Sequence, residues 1–167
     1  AAAIHDVAAV QSEYSLSVRS PEMGLVQATA ALGVSLVAFS PLGRSLLTDK
    51  PHSRATAVAS GWLTSNPRFV EPNLTANIQA GARFRALAAE MGMSAAALAI
   101  AWLLHKAPHI LPIPGTRSVD HLREHCDGAA KTLSPDDMDR IEAALPIGWA
   151  HGDRYADAQW VGPERYC

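Results

Sequence analysis

The sequence predicts an α/β protein built on a parallel β-sheet. Short, almost continuously apolar runs alternate with segments of helical spacing, which is typical of strands buried between helices. The order of elements is β-α-β, a long connection, α-α-β and α-α. Two architectures fit this order, a doubly wound sheet and part of a (β/α)8 barrel. No Gly-x-Gly-x-x-Gly follows any predicted strand, so the dinucleotide motif of the doubly wound fold is absent.

Composition indicates one globular domain and excludes several classes of function. Of 167 residues, 49 % are hydrophobic and 18 % are charged. A net charge of −2 argues against non-specific binding to nucleic acid or anionic membranes. Cys126 and Cys167 could form at most one disulfide, so a reducing, cytoplasmic compartment is the simpler expectation. The longest apolar run, residues 95–104, is too short to cross a bilayer.

The amino terminus predicts no signal peptide. It lacks an initiator Met and has no basic segment before an apolar one. A strand-like run follows almost at once, which indicates a chain that begins partway through a fold. A processed or trimmed terminus is the alternative.

The first strand is predicted over residues 7–11, ending at polar Gln11, and the second over residues 34–39. Between them, Ser20-Pro21-Glu22 combines an N-cap residue, a proline at the first helical position and an acid in the first turn. Helical spacing continues to Gly33, which ends this helix.

After the second predicted strand, a long segment without periodicity precedes the remaining helices and the third strand. Residues 41–73 lack periodicity, which in a compact domain indicates a functional loop or a missed element. Helices are predicted over residues 77–91, 95–105 and 119–126, and a third strand over residues 110–113. A last helix begins at Ser134-Pro135, with Asp137 as the acid of a capping box. Trp149, Trp160 and Tyr166 in the irregular tail are expected to pack onto the body.

Gly115, Thr116 and Arg117 follow the third predicted strand and open a helix. Unpaired N–H groups at a helix N-terminus carry partial positive charge and suit an anion. A cation is disfavoured there, yet Arg117 is present and Arg123 follows one to two turns later. An anionic ligand between the two arginines would resolve this conflict. A solvated surface Arg117 is the alternative.

Three short motifs close the predicted strands, each at the C-terminal end of its strand. They are Val10-Gln11-Ser12-Glu13-Tyr14-Ser15-Leu16, Ala38-Phe39-Ser40-Pro41-Leu42-Gly43-Arg44, and Ile113-Pro114-Gly115-Thr116-Arg117 with His121-Leu122 and Glu124. In this order they resemble the aldo-keto reductases, and the resemblance covers nearly the whole chain. It implies the C-terminal portion of a (β/α)8 TIM barrel, strands six to eight with their helices. Residues 1–167 would then form a partial NADP-dependent oxidoreductase domain.

The resemblance implies reversible reduction of small-molecule aldehydes and ketones to alcohols with NADPH, and less readily with NADH. The family's proton-donating Tyr, its partner Lys and Asp, and a nearby His come from the first half of the barrel. None has a counterpart here, so no catalytic residue is expected and the isolated chain is expected to be inactive. Tyr14 is expected to pack and to bind a hydrogen-bond partner.

An incomplete barrel would expose sheet edges and an apolar inner face. We therefore expect marginal stability, aggregation, or pairing with a missing half or another copy. Neither nucleic acid nor membrane is expected as a partner.

The resemblance also implies roles for individual residues. Phe39 would stack on the nicotinamide ring and exclude water, and Gln11 would hold the carboxamide. A core Phe39 and a solvated Gln11 are the alternatives. The pyrophosphate would be lined by Ser40, Leu42, Gly43 and Arg44. The long segment after them would close as a lid, or else form a disordered surface loop.

The adenosine end of NADPH is assigned to the third motif by the same resemblance. Arg117 would grip the 2′-phosphate as a bidentate fork. Glu124 would contact the adenine amino group, and His125, which stands where the family usually has Asn, can still donate a hydrogen bond. The other cofactor-binding positions are Gly115, Thr116 and His121.

Two other functions remain open. His121-Leu122-Arg123-Glu124-His125 matches a zinc metallopeptidase pattern, with two histidines one turn apart and an acid between them. That site would need a further carboxylate, for which Glu142 and Glu164 are the candidates; the reductase interpretation needs no metal ligand. A truncated pseudoenzyme that binds nucleotide or a partner is the non-enzyme alternative. An upstream reading frame encoding the rest of a barrel would distinguish it.

Overall fold

The computed structural model describes residues 2–160. Within that range the centre is a parallel sheet in the order β1-β2-β3, formed by β1 (Ala9–Glu13), β2 (Ser35–Phe39) and β3 (Ile110–Pro112). Both strand pairs are parallel, so the predicted α/β class with a parallel sheet is confirmed.

Helices connect and flank the strands. They are α1 (Leu25–Ala31), α2 (Arg54–Ala59), α3 (Asn73–Ala80), α4 (Ala82–Glu90), α5 (Ala95–Lys106), α6 (Val119–Ala130) and α7 (Pro135–Ala144). Short 3-10 helices cover Ser20–Met23, Gly43–Ser45, Pro67–Phe69 and Asp157–Gln159. In residues 2–160 no single helix could cross a membrane; a bent pair, Asn73–Glu90 with Ala95–Lys106, reaches the length only together.

Several boundaries differ from the sequence-based expectations. β1 lies two residues later than residues 7–11, because its polar end pairs with β2 instead of ending the strand. The helix predicted over residues 77–91 is two helices that meet at Gly81. The segment 41–73 is not structureless, since it contains α2 and two 3-10 helices. The first predicted helix is likewise divided at Gly24 into a 3-10 helix and α1.

The sheet is covered on one face and open on the other. Gln11 pairs with Val37, and Val37 with Leu111, so these three residues share a face. Leu36 and Ile110 on the opposite face are buried against the helices. Leu111 on the open face is 49 % exposed. The expected uncovered apolar face is therefore present in the described part of the chain.

Helix α5 forms the centre of the hydrophobic core. Its residues 95–103 are all buried, and Trp102 is fully buried. The Trp102 ring lies 5.1 Å from the Arg19 guanidinium and 5.3 Å from the Lys106 ammonium. Its Nε1 donates to Glu142 at 3.2 Å, and Glu142 also accepts from Arg19 and Lys106. This network joins α7 to α5.

Tyr14 packs beside this network. Its ring contacts Trp102 edge-on at 5.7 Å, and its hydroxyl donates to Glu22 at 2.9 Å. Burial and the neighbouring Glu22 carboxylate raise the pKa of Tyr14 above its ordinary value. Its role is structural, as the sequence indicated.

The two tail tryptophans that the structure describes also pack as expected. Trp149 is buried and donates its Nε1 to the Leu16 carbonyl at 2.8 Å. The Trp160 ring contacts Tyr155 at 5.5 Å. Tyr166 lies outside the described residues.

Candidate functional site

The carboxyl ends of the strands lie side by side at one edge of the sheet. Glu13 at the end of β1 pairs with Phe39 at the end of β2. Just beyond β3, the Ile113 N–H donates to the Ala38 carbonyl at 3.0 Å. Because side chains alternate along a strand and Gln11 precedes Glu13 by two positions, Gln11 and Phe39 share the open face. The structure therefore brings these two predicted site residues to one surface.

Gly115, Thr116 and Arg117 form an exposed turn that starts at the same edge and leads into α6. The Thr116 hydroxyl accepts from the Ser118 N–H at 3.0 Å. Ser118 in turn caps α6 by accepting from the His121 N–H. Among residues 2–160, Arg117 has no hydrogen-bond or ion-pair partner, so its guanidinium is available to an anion.

Arg123 does not join Arg117. Its guanidinium donates to Asp120 at 2.8 Å, and both side chains are largely exposed. Such a pair contributes little to stability. Of the two arginines that the sequence placed around an anion, Arg117 is therefore the candidate ligand.

The acid and the two histidines of α6 lie in different surroundings. His121 is exposed, whereas His125 is 6 % exposed. Burial lowers the pKa of His125 below its ordinary value, and its Nδ1 has no hydrogen-bond partner among the described residues. Glu124 lines an open groove of about 400 Å³ between α6 and the turn before α5. The two histidines of the pattern thus differ in exposure, with His125 buried and His121 open to solvent.

The zinc pattern does not gather ligands in the part of the chain that the structure describes. No group of three His, Cys, Asp or Glu side chains there could hold a metal ion. Glu142, one of the candidate further ligands, is bound instead by Arg19 and Lys106. Glu164 lies outside the described residues.

The loop after β2 has an unusual backbone. Ser40, Gly43, Arg44 and Ser45 have φ angles of 50°, 56°, 54° and 83°. Leu42 packs against the core, and the Gly43 N–H donates to the Ser40 carbonyl at 2.9 Å. Each non-glycine residue with a left-handed φ angle lowers the stability of the fold by about 1–3 kcal/mol. The surrounding structure must therefore hold the loop in place.

Arg44 is held by an ion pair. Its Nη1 lies 3.0 Å from Glu13 Oε1, with the two side chains only 6 % and 0 % exposed. The guanidinium also lies over the rings of Tyr155 at 5.0 Å and Trp62 at 5.8 Å. Glu13 accepts a hydrogen bond from the Tyr155 hydroxyl at 3.2 Å and lies 3.6 Å from Arg154 Nη1. The resemblance assigned the positive charge of Arg44 to a pyrophosphate, whereas in this structure that charge is balanced by Glu13.

The sequence reasoning did not single out Glu13, Arg154 or Tyr155. A signal existed for Glu13, because a carboxylate two positions after Gln11 must lie on the same face at the strand end. No comparable signal marks Arg154 and Tyr155, which follow the last helix in an irregular segment.

Comparison with known proteins agrees with this arrangement. The profile of the aldo/keto reductase family matches residues 1–146. A probable aldo-keto reductase 1 from Glycine max is 37 % identical over 153 residues, covering 92 % of this chain and 44 % of that protein. The chain thus spans less than half the length of this curated relative.

Solved structures show the same fold. A thermostable aldo-keto reductase crystallised with the inhibitor epalrestat is 26 % identical with a TM-score of 0.58, over 81 % of this chain and 39 % of that one. A glycerol dehydrogenase from Gluconobacter oxydans is 22 % identical with a TM-score of 0.69, over 82 % of this chain and 42 % of that one.

A parallel sheet with these structural neighbours fits an α/β oxidoreductase of the (β/α)8-barrel type. The chain belongs to the aldo/keto reductase family, which confirms the resemblance found in its motifs.

Proposed function

We propose that the chain supplies the NADPH-binding edge of an aldo-keto reductase, as the C-terminal part of its barrel. The observation that carries this proposal is Arg117, an exposed guanidinium without a partner among residues 2–160, at the edge where β3 ends. Gln11, in the middle of β1, and Phe39, at the end of β2, lie on the open face of the sheet. Together these three residues would offer an anion ligand, an amide and an aromatic ring, which suit a nicotinamide dinucleotide.

In this proposal the bound NADPH supplies a hydride to the carbonyl carbon of a small aldehyde or ketone. Phe39 packs against the nicotinamide and keeps water from the reacting atoms, while Gln11 fixes the ring through its carboxamide. Arg117 binds the 2′-phosphate through charge-assisted hydrogen bonds, which favours NADPH over NADH.

The proton for the carbonyl oxygen comes from residues outside this chain. Tyr14 does not supply it, because its hydroxyl is buried and donates to Glu22. We expect the purified chain to leave NADPH absorbance unchanged in the presence of a reactive aldehyde. Aldehyde-dependent NADPH oxidation by the pure chain would contradict this assignment.

Binding by Arg117 is tested with a matched pair of variants. Arg117→Ala removes the free guanidinium, whereas Arg123→Ala removes one that is paired with Asp120. By calorimetry or NADPH fluorescence, Arg117→Ala is expected to weaken NADPH binding about 10- to 100-fold and to leave NADH binding unchanged. Arg123→Ala is expected to change neither. Equal losses for both nucleotides, or for both variants, would refute the role of Arg117.

We also propose that the open sheet face associates with the remaining half of a barrel or with a second copy. Apolar Leu111 and Ile113 on this face are about half exposed. Mixing the chain with the complementary half of the Glycine max relative is expected to give aldehyde-dependent oxidation of NADPH. Stable association with nucleotide binding but no turnover would favour the pseudoenzyme instead.

A further inference from the structure

We propose that residues 149–160, here called the clasp, hold the loop of residues 40–45 in place through Glu13. Glu13, Arg154 and Tyr155 then act as positioning residues for the cofactor loop, a role that rests on the proposed function. The clasp consists of contacts between residues of this chain, and its effect on the loop can be measured without cofactor.

The clasp is tied to the body by buried amides. The Asn66 side chain donates to the Arg154 carbonyl at 2.7 Å. Asn77 binds His151 twice, donating to its carbonyl at 3.0 Å and accepting from its N–H at 2.7 Å. Both asparagines are almost fully buried. A buried amide left without these partners would carry an uncompensated desolvation cost, so the clasp is held in one position.

Gly152 marks the closest approach of the clasp. Its carbonyl accepts from Arg68 Nε at 3.1 Å. A Cβ on Gly152 would lie 2.8 Å from the Pro67 carbonyl carbon and oxygen and 2.7 Å from the Asn73 amide nitrogen. Its φ of +86° is also one that side chains rarely adopt. No larger residue fits here unless the clasp moves.

From this anchor the clasp reaches Glu13. The Tyr155 hydroxyl and the Arg154 guanidinium lie 3.2 Å and 3.6 Å from Glu13 Oε2. Arg44 holds both oxygens of the same carboxylate, with Nη1 3.0 Å from Oε1 and Nη2 donating to Oε2 at 3.1 Å. Because Glu13 and Arg44 are nearly inaccessible to water, their pairing is screened little, and loss of one partner leaves a buried charge.

Arg44 passes this constraint to the loop backbone. Arg44 and its neighbours Ser40 and Ser45 have left-handed φ angles, which persist only while surrounding contacts hold them. Ser40, Leu42 and Gly43 are the residues proposed to line the pyrophosphate. A displaced clasp would therefore loosen the segment that receives the cofactor.

Gly152 of the clasp and Gly148, which immediately precedes the clasp, provide the test. Gly152→Ala introduces the clash with Pro67, whereas Gly148→Ala places alanine at a similar φ of +82° with nothing within 4 Å. Both variants carry backbone strain, but only Gly152→Ala displaces the clasp. By hydrogen exchange with mass spectrometry, Gly152→Ala is expected to speed exchange about tenfold or more in peptides covering residues 40–48. Gly148→Ala is expected to leave these peptides protected.

A second variant separates the electrostatic contact from the steric one. Glu13→Gln keeps the side-chain shape and removes the charge that holds Arg44 and Arg154. We expect faster exchange at residues 40–48 and unchanged exchange in α5. A general loss of stability would speed exchange in α5 as well. Tyr155→Phe retains the ring over Arg44, removes only the hydroxyl, and should give a smaller effect.

These outcomes also distinguish the clasp from the proposed function. Faster exchange at residues 40–48 together with weaker NADPH binding in Gly152→Ala supports both. Faster exchange in a chain that binds no NADPH supports the clasp as a loop constraint, overturns its role for a cofactor, and refutes the proposed function. Exposure of residues 149–160 in Gly152→Ala with residues 40–48 still protected overturns the clasp. Unchanged exchange at residues 40–48 in Glu13→Gln overturns the role of Glu13.

Discussion

Gly128 of α6 lies directly against the backbone of Ala97 of α5. A Cβ on Gly128 would stand 2.9 Å from the Ala97 Cα and closer still to its carbonyl oxygen. The two helices therefore approach more closely than any side chain at this position would allow.

Gly128→Ala is expected to destabilise the chain by about 1–3 kcal/mol, because the overlap involves rigid backbone atoms. Helix propensity alone would predict the opposite sign, a gain of about 1 kcal/mol. Urea denaturation measures the difference. Ala129→Gly at the exposed neighbouring position is the control and should cost about 1 kcal/mol. A Gly128→Ala variant as stable as the original chain would show that α5 and α6 can separate freely.

His125 predicts a loss of stability in mild acid. Burial lowers the pKa of His125, so the unfolded chain binds its proton more readily than the folded one. The stabilising contribution is therefore present above the ordinary pKa of 6.5 and is lost as the pH falls through the lower folded value. Each unit of lowering corresponds to about 1.4 kcal/mol.

Denaturation midpoints measured across this pH range test the effect. His125→Gln should flatten the profile, whereas His5→Gln at an exposed position should leave its slope intact. An unchanged slope in His125→Gln would assign the acid sensitivity to other groups.

Glu142 makes a second, more acidic contribution. Burial opposes its ionisation, but the hydrogen bonds from Lys106 and Arg19 outweigh burial and leave the pKa of Glu142 below its ordinary value. Its stabilisation is present above the ordinary pKa of 4.5 and is lost as the pH falls through the lower folded value. Glu142→Gln is expected to lower the free energy of unfolding by about 1–3 kcal/mol at neutral pH. The reason is that two largely buried cations, Arg19 and Lys106, lose a charged acceptor.

The control for Glu142 is Glu90, which pairs with Arg140 on the surface. Glu90→Gln should cost under about 1 kcal/mol by thermal or urea denaturation. Equal losses in the two variants would mean that the network around Trp102 adds no more than a surface pair.

The sequence predicted elements where local signals suffice. Ser134 caps α7 as expected, because capping depends on residues within one turn. The apolar runs gave β2 and β3 within one residue at each end, since their cores are buried by hydrophobic contact. The position of Phe39 at the end of β2 followed from the same pattern, whereas Gln11 lies two residues before the end of β1.

Long-range contacts account for what the sequence reasoning missed. β1 continues to Glu13 because a buried carboxylate is tolerated only beside Arg44, Arg154 and Tyr155, which come from distant parts of the chain. The packing of the segment from residue 41 to residue 73 depends similarly on the clasp. No local rule states that the Asn66 amide will find the Arg154 carbonyl.

The open sheet face predicts self-association of the isolated chain. Replacing Leu111 and Ile113 with Thr keeps β-propensity but removes apolar surface. The double variant is expected to sediment as a smaller species than the original chain. Ile147→Thr, at an exposed position outside the sheet, should have no effect. A monomeric original chain would contradict the role of this face.

Because one face of the sheet is uncovered, the stability of the fold depends on the concentration of whatever binds there. Whatever binds over Leu111 and its neighbours binds the folded chain and not the unfolded one, so it stabilises the fold as the logarithm of its concentration. We therefore expect the melting temperature of this chain to depend on the protein concentration. The melting temperature would rise on titration with any molecule that covers the open face of the sheet.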